Sequence, residues 1–518
     1  MSLNRRAALS RSLAAAAGAF LAARPARSAE PARFTSDPFK LGVAAGDPRS
    51  DGFVIWTRLA PEPFQADGGL AGRTIAVDWS VAADPEFRAV VRSGRAAAHP
   101  DRAHAIHVEL AGLLPDRPYW YRFDAGGARS RTGQARTLPA PGSARDRFRL
   151  AWASCQHFEQ GWFTPYQDMV AWGPELILHL GDYIYESSWG PQVRRHPYGE
   201  PKSLGEYRVH HALYKLDADL QAAHAAACWA FIWDDHDVEN DYAGVTPEDP
   251  AEAEAFPARR AAAYRAWLEN LPVSPRSLLA GGAVRMHREL MVGDLMQLLL
   301  LDARQHRSPR ACVDPERWRS TLKACPEAAA AARTILGPEQ EAWFADRFAG
   351  SAARWTAIAQ PTLFSHWHQL DAAGQPLAYQ DGWAAYPAAR QRLLDQIATR
   401  GRQDVVIVGG DMHSFFANDV KSDFGRLDSP VVAAEFVTSS ITSHSFNFER
   451  WRPSMAAPEN AHLRFFDDRQ RGWCAAVVGR DRWEVDFRAA SSVWRRDPTF
   501  ASLRRWTVEH GRAGVQPA

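Results

Sequence analysis

Three apolar-rich runs in this sequence end in carboxylates and imidazoles. Cys228–Trp233 leads straight into Asp234, Asp235, His236 and Asp237. Leu176–Leu180 leads through Gly181 to Asp182, Tyr183, Ile184 and Tyr185. Val405–Val408 leads through Gly409 and Gly410 to Asp411 and His413. Burying that much charge is costly unless it is paired or ligates a metal. Open α/β sheets place their chemistry at strand ends of this kind. Taken alone, the Asp234–Asp237 stretch also reads as a solvated turn whose acids cap a following helix. Three together point to one shared metal site.

The donor types narrow the chemistry. Asp411 and His413 alternate, so an extended backbone puts both on one face. Gly409 and Gly410 let that backbone pass close beneath an ion. Asp182 and Tyr185, three residues apart in a loop, can close on one ion. Phenolate is a poor ligand for Zn²⁺ or Mg²⁺ and a good one for Fe³⁺, as in ferric haem held by tyrosine. Tyr183 and Tyr185 read equally as packing aromatics. Cys155 follows the run Phe148–Ala153, where a thiolate could ligate a metal; taken alone it reads first as an inert buried thiol.

The elements that must carry these residues alternate in type. From Phe39 to about Leu138, short strands such as Phe53–Arg58, Ile75–Val81, His104–Leu110 and Tyr119–Asp124 are spaced by Gly, Pro and Asp turns. That spacing predicts a small all-β sandwich. Leu113–Tyr119 resembles the tyrosine corner of fibronectin type III domains. Residues 139–144 read as a linker. Beyond it, strands at Phe148–Ala153, Glu175–Leu180, Cys228–Trp233, Leu295–Leu301, Trp355–Ile358, Val405–Val408 and Val431–Phe436 alternate with helices such as Ala251–Leu271 and Gly337–Ala349. This is an α/β domain. Trp473–Val478 and Trp483–Phe487 read as a closing hairpin, and Ser491–Gly511 as a loop and a basic helix.

At 518 residues the chain can bury large cores, and its 46% hydrophobic and 23% charged composition is globular. The 20 tryptophans read first as packing residues. Formal net charge is +1, and residues 1–28 carry several arginines and no acid, so nothing marks a nucleic-acid-binding footprint. Those first residues predict an export signal: Arg5 and Arg6, an apolar run from Leu13 to Ala23, and small residues near Ser28. The adjacent arginines fit the twin-arginine pathway, with its translocase as a transient partner and a periplasmic or secreted product. No run is long enough to leave a transmembrane anchor in the mature form. Five cysteines leave at least one thiol unpaired. Cys312 and Cys325 could pair in an oxidising compartment; Cys228 and Cys474 read as core thiols.

The combination resembles the calcineurin-like metallophosphoesterase superfamily, and within it the alkaline phosphatase D (PhoD) family. The stretches that carry the resemblance are Trp152-Ala-Ser-Cys155, His179-Leu-Gly-Asp-Tyr-Ile-Tyr185, Ile232-Trp-Asp-Asp-His-Asp237, Leu301-Asp-Ala-Arg304 and Gly409-Gly-Asp-Met-His413. The resemblance implies a metallophosphoesterase-type β-sandwich core flanked by helices at 147–490, behind the all-β domain at 39–138, with a C-terminal loop and helix at 491–518. It implies Fe³⁺ held by Cys155, Asp182, Tyr185 and His413, and Ca²⁺ held by Asp182, Asn240 and Asp411. Asp235 lies where the wider superfamily has an asparagine ligand and is a further candidate. Oxygen donors suit a hard divalent ion.

Against the wider superfamily, Asp-x-His becomes Ser154-Cys155-Gln156, Gly-Asn-His-Asp becomes Asp234-Asp-His-Asp237, and Gly-His-x-His becomes Gly410-Asp-Met-His413. Nitrogen ligands give way to oxygen and sulfur, which favours iron and calcium over a di-zinc or di-manganese pair. The implied activity is an exported phosphoric ester hydrolase, in which a metal-bound hydroxide attacks the phosphate ester directly and in line. The alternative within the family is a phosphodiesterase or phospholipase D-like enzyme, so the substrate is a phosphate monoester or diester. His236 either protonates the departing alkoxide or supports a ligating carboxylate. Arg260 is expected to grip the phosphate, with its neighbour Arg259 nearly as well placed.

Overall fold

The computed structural model describes residues 33–279, 282–312, 321–323, 325–371, 373–401, 404–445 and 454–518. The export-signal reading of residues 1–28, with Arg5 and Arg6, lies outside the described residues.

The centre of the first sheet is a parallel trio, Arg147–Ala153, Leu176–Leu180 and Cys228–Ile232, in register from Leu176 opposite Cys228 to Leu180 opposite Ile232. The last two strands are buried at every position, as a strand covered on both faces must be. On one side the antiparallel strands Arg471–Gly479, Arg482–Ala490, Phe500–Glu509 and Gln516–Pro517 continue the sheet. On the other, Val43–Arg49 pairs in parallel with Cys228–Ile232 and is followed by Gly52–Arg58 and Ala105–Glu109. Three strands of the N-terminal stretch thus complete the sheet whose strands lead to Cys155, Asp182 and Asp235. The rest of that stretch forms a smaller sheet from Val90–Ala98, Ile75–Ala82, Pro118–Ala125, Ala128–Arg129 and Gly133–Arg136. There Tyr119 accepts from the Leu114 amide at 3.0 Å, the predicted tyrosine corner.

A second, mixed sheet runs in the order Arg288–Val292, Met296–Leu300, Trp355–Ala359, Val405–Gly409, Val431–Val437, Phe415–Lys421, Leu463–Asp467. The two sheets share a core in which Leu150, Trp152 and Leu178 belong with Leu298, Val406 and Phe436. Each such side chain contributes roughly 1.5–3 kcal/mol by leaving water. The other face of the second sheet meets the helices Pro338–Gly350 and Pro387–Thr399 through Phe344, Phe348, Leu393 and Ile397. A parallel bridge from Ser154 to Ser440 ties the sheets together where their strands end.

The C-terminal helix expected within 491–511 is instead the strand Phe500–Glu509. Trp506 and Val508 alternate into the core, and the segment pairs along Arg482–Ala490 from Glu509 to Phe500. A free sheet edge decides the conformation against the helical preference of its arginines and alanine. Cys312 and Cys325 are joined, with Cα atoms 6.1 Å apart, while Cys155, Cys228 and Cys474 are buried free thiols. Among the described residues, no helix is long and apolar enough to cross a membrane.

Candidate metal centre

The chain bends sharply where these strands stop. Cys155, Asp182, Asp411 and His413 all have positive φ, at 59°, 55°, 63° and 48°. Non-glycine residues rarely adopt this region, at a cost of order 1–3 kcal/mol each, and such strain gathers at functional sites. Glycines make room beside them. A Cβ on Gly181 would lie 2.6 Å from the Asp234 amide nitrogen, and one on Gly410 would lie 2.7 Å from the Ser154 Cβ. Asp237 clamps the turns, accepting from the backbone amides of Asp182, Tyr183 and Asp234 at 3.0–3.1 Å.

Two donor groups result, and they share Asp182. Cys155, Asp182 and His413 bring their ligand atoms within 4.8 Å of one another, and so do Asp182, Asp235 and His236; all are buried. Tyr185 joins the first group, its hydroxyl 2.9 Å from Asp182 Oδ2 and 2.9 Å from His413 Nε2. His413 Nδ1 lies 2.6 Å from the His444 carbonyl. A carbonyl can only accept, so Nδ1 carries the proton and Nε2 presents a lone pair. One phenolic proton cannot satisfy both Asp182 and His413, and Asp182 Oδ1 is buried without a partner. The set is rich in acceptors and short of positive charge, so its chemistry fits a metal ion.

The electrostatics carry the same message. Burial, then Asp182, pushes the Cys155 thiol well up; burial, then Asp235, does so for Asp182; burial, then Asp234, does so for Asp411. Burial holds His413 down to about 3. Burial also acts to lower His236, but Glu186, 2.8 Å from its Nδ1, and Asp235 outweigh it and raise it well above the ordinary histidine value.

The remaining expected residues fall around this nucleus. Asp411 accepts from Thr362 Oγ1 at 2.5 Å and from the Tyr379 hydroxyl. Asn240 donates to Glu248 at 2.8 Å and shares with His236 the wall of a cavity of about 450 Å³. Arg260 donates to the Gly244 carbonyl at 2.5 Å, and its guanidinium lies 5.4 Å from the Tyr264 ring centre. Arg259 is committed to Glu239 at 2.8 Å and to the Tyr207 hydroxyl at 3.1 Å. Sequence reasoning assigned no role to four neighbours. Asp241 and Asp381 form a third group with Asp235. Fully buried Arg304 meets Asp234, Asp235 and Asp381. Glu186 follows Tyr185 directly and could have been found by that adjacency. Asp381 belongs to no motif and arrives through tertiary structure alone.

Comparison with known proteins agrees with this architecture. A family model described as PhoD-like phosphatase matches residues 150–487, and one described as the N-terminal domain of PhoD-like phosphatases matches residues 24–139. Alkaline phosphatase D of Bacillus subtilis (strain 168) is 39% identical over 492 residues, spanning 93% of this chain and 83% of the Bacillus protein. A solved structure of PhoD superimposes with a TM-score of 0.89 at 37% identity, covering 94% of this chain and 93% of the other. With both parts of its length matched in this way, the chain belongs to the PhoD-like phosphatase family.

Proposed function

We propose that this chain is an exported, metal-dependent phosphoric ester hydrolase. The carrying observation is the buried donor group Cys155, Asp182 and His413, which Tyr185 joins, with Asp235 beside Asp182. Cys155, Asp182, Tyr185 and His413 would hold Fe³⁺, since thiolate and phenolate donors suit a strongly Lewis-acidic ferric ion. Asp182, Asp235, Asn240 and Asp411 would hold Ca²⁺ through oxygen. When bound, the ions supply a water of lowered pKa and positive charge that offsets the phosphoryl transition state.

The chain's own residues set the rest. Glu186 accepts from Nδ1 of His236 at 2.8 Å, which leaves its other nitrogen to give a proton to the departing alkoxide. The cavity beside His236 and Asn240 gives the alcohol portion of the ester its place. Arg260 would have to leave the Gly244 carbonyl to grip phosphate. Twin-arginine export would deliver the folded, metal-loaded protein to the periplasm or beyond.

The test pairs rates with metal analysis. Initial rates on a nitrophenyl phosphate and a bis-nitrophenyl phosphate measure monoester against diester preference. Purified protein should contain iron and show a visible tyrosinate-to-iron band, and calcium chelation should lower activity reversibly. Asp182→Asn should fold, because its carbonyl oxygen can still accept from Tyr185, yet lose iron and at least about 100-fold in rate. An iron-free, colourless preparation with full activity would sink the iron assignment. An active Asp182→Asn variant would sink the whole reading.

A further inference from the structure

A phosphate ester at this centre needs hydrogen-bond donors besides the ions, and most nearby donors are already committed. Arg259 is held by Glu239 and Tyr207, Arg307 by Asp381 at 2.9 Å, and Arg310 by Asp241 at 3.0 Å. Arg304 is enclosed by Asp234, Asp235 and Asp381. The Asn240 amide is on Glu248.

Tyr379 differs. It ends the strand Pro376–Tyr379, which pairs with Gln369–Leu370 and Thr321–Lys323 in a small sheet. Its hydroxyl reaches Asp411 with two long contacts, 3.4 Å to Oδ1 and 3.2 Å to Oδ2. Hydroxyl donors usually approach to about 2.7–2.8 Å, so this phenol is loosely held and can be redirected. Thr362 holds the same carboxylate at 2.5 Å and is buried, whereas Tyr379 is half-buried. Two hydroxyls on one carboxylate therefore have different standing: Thr362 fixes it, and Tyr379 overlooks it. Packing aims the ring. A Cβ on Gly382 would stand 3.0 Å from Tyr379 Cδ1 and 3.3 Å from Thr362 Oγ1, so a glycine there leaves room for both.

We infer that Tyr379 is a substrate-contacting residue whose phenolic O–H donates to a non-bridging oxygen of the phosphoryl group bound beside Asp411. This rests on the hydrolase reading above. It adds a donor from a segment outside all the sequence motifs, mounted on a separate sheet.

The test compares Tyr379→Phe and Thr362→Val with the wild-type protein, each loaded with iron and calcium. Three quantities are read: metal content, binding of inorganic phosphate by equilibrium dialysis, and kcat/KM on nitrophenyl phosphate. Tyr379→Phe should keep its metals, bind phosphate about 10- to 100-fold more weakly and lose a similar factor in kcat/KM, the effect of one donor to a charged group. Thr362→Val should instead lose calcium affinity. Unchanged phosphate binding in Tyr379→Phe overturns the inference. So does a loss of metal that accounts for its loss of activity, because the phenol would then only orient Asp411. If the wild-type protein hydrolyses no phosphate ester, the hydrolase reading fails, and phosphate dialysis still decides the role of Tyr379.

Discussion

Replacing Arg304 with methionine removes a guanidinium that faces three buried carboxylates. Its Nε meets Asp234, its terminal nitrogens meet both oxygens of Asp381, and Nη2 lies 3.2 Å from Asp235. The side chains of Arg304, Asp234 and Asp381 are at most 1% exposed, so water cannot take over the lost contacts. Removing one partner of a buried ion pair costs about 3–5 kcal/mol, because the other charge stays buried and uncompensated. At roughly 2 °C per kcal/mol for a large domain, melting should fall by about 6–10 °C. The sharper quantity is the coupling with Asp381, which Arg307 also holds. In Arg304→Met/Asp381→Asn one orphaned charge is gone. The double variant should then be less destabilised than the sum of the singles, by about 0.5–3 kcal/mol. The assay is calorimetric melting of all four proteins at one scan rate in one metal-containing buffer, with metal content measured on each. Simple additivity, or an Arg304→Met protein that melts like the wild type, would refute the reasoning.

Two further outcomes follow from the same structure. Gly181→Ala should be far worse than Gly142→Ala, although both glycines have positive φ, at 111° and 75°. A Cβ at 181 would press within 2.9 Å of the Trp233 carbonyl carbon, whereas one at 142 meets nothing within 4 Å. The second change should cost about 1 kcal/mol and the first several, with loss of bound metal; equal melting shifts would contradict this. Acid should destabilise the fold through His179, which burial holds down to about 3. Between about pH 6.5 and 3 the unfolded chain takes a proton there that the folded chain refuses. Its stabilising share is therefore complete above about pH 6.5 and shrinks as pH falls, by about 1.4 kcal/mol between pH 7.5 and 5.5. His179→Phe should flatten the denaturant-midpoint curve over that range, and an unchanged slope would exclude the assignment.

The strands that end in candidate donors were legible because each is local. Cys228–Ile232 is apolar at every position, and its charges begin just past the strand's end, at Asp234. Cys155, Asp182, Asp411 and His413 stood out as donors for that reason, but their positive φ values did not, since nothing in those residue types asks for a left-handed backbone. The strand Phe500–Glu509 was illegible because only Trp506 and Val508 keep the alternation, and its partner Arg482–Ala490 decides the rest. The same division runs through the centre itself. Donors sit in contiguous motifs, whereas the groups that balance and aim them, Arg304, Asp381, Thr362 and Tyr379, come from segments remote from the donors they touch. Arg304 was visible within Leu301-Asp-Ala-Arg304 yet had no assignable partner until Asp381, 77 residues on, came into contact. Charge balance in a buried site is a sum over space, while a motif is a pattern along the chain. Sequence reading therefore recovers the atoms that could touch a metal sooner than the counter-charges that let them remain ionised.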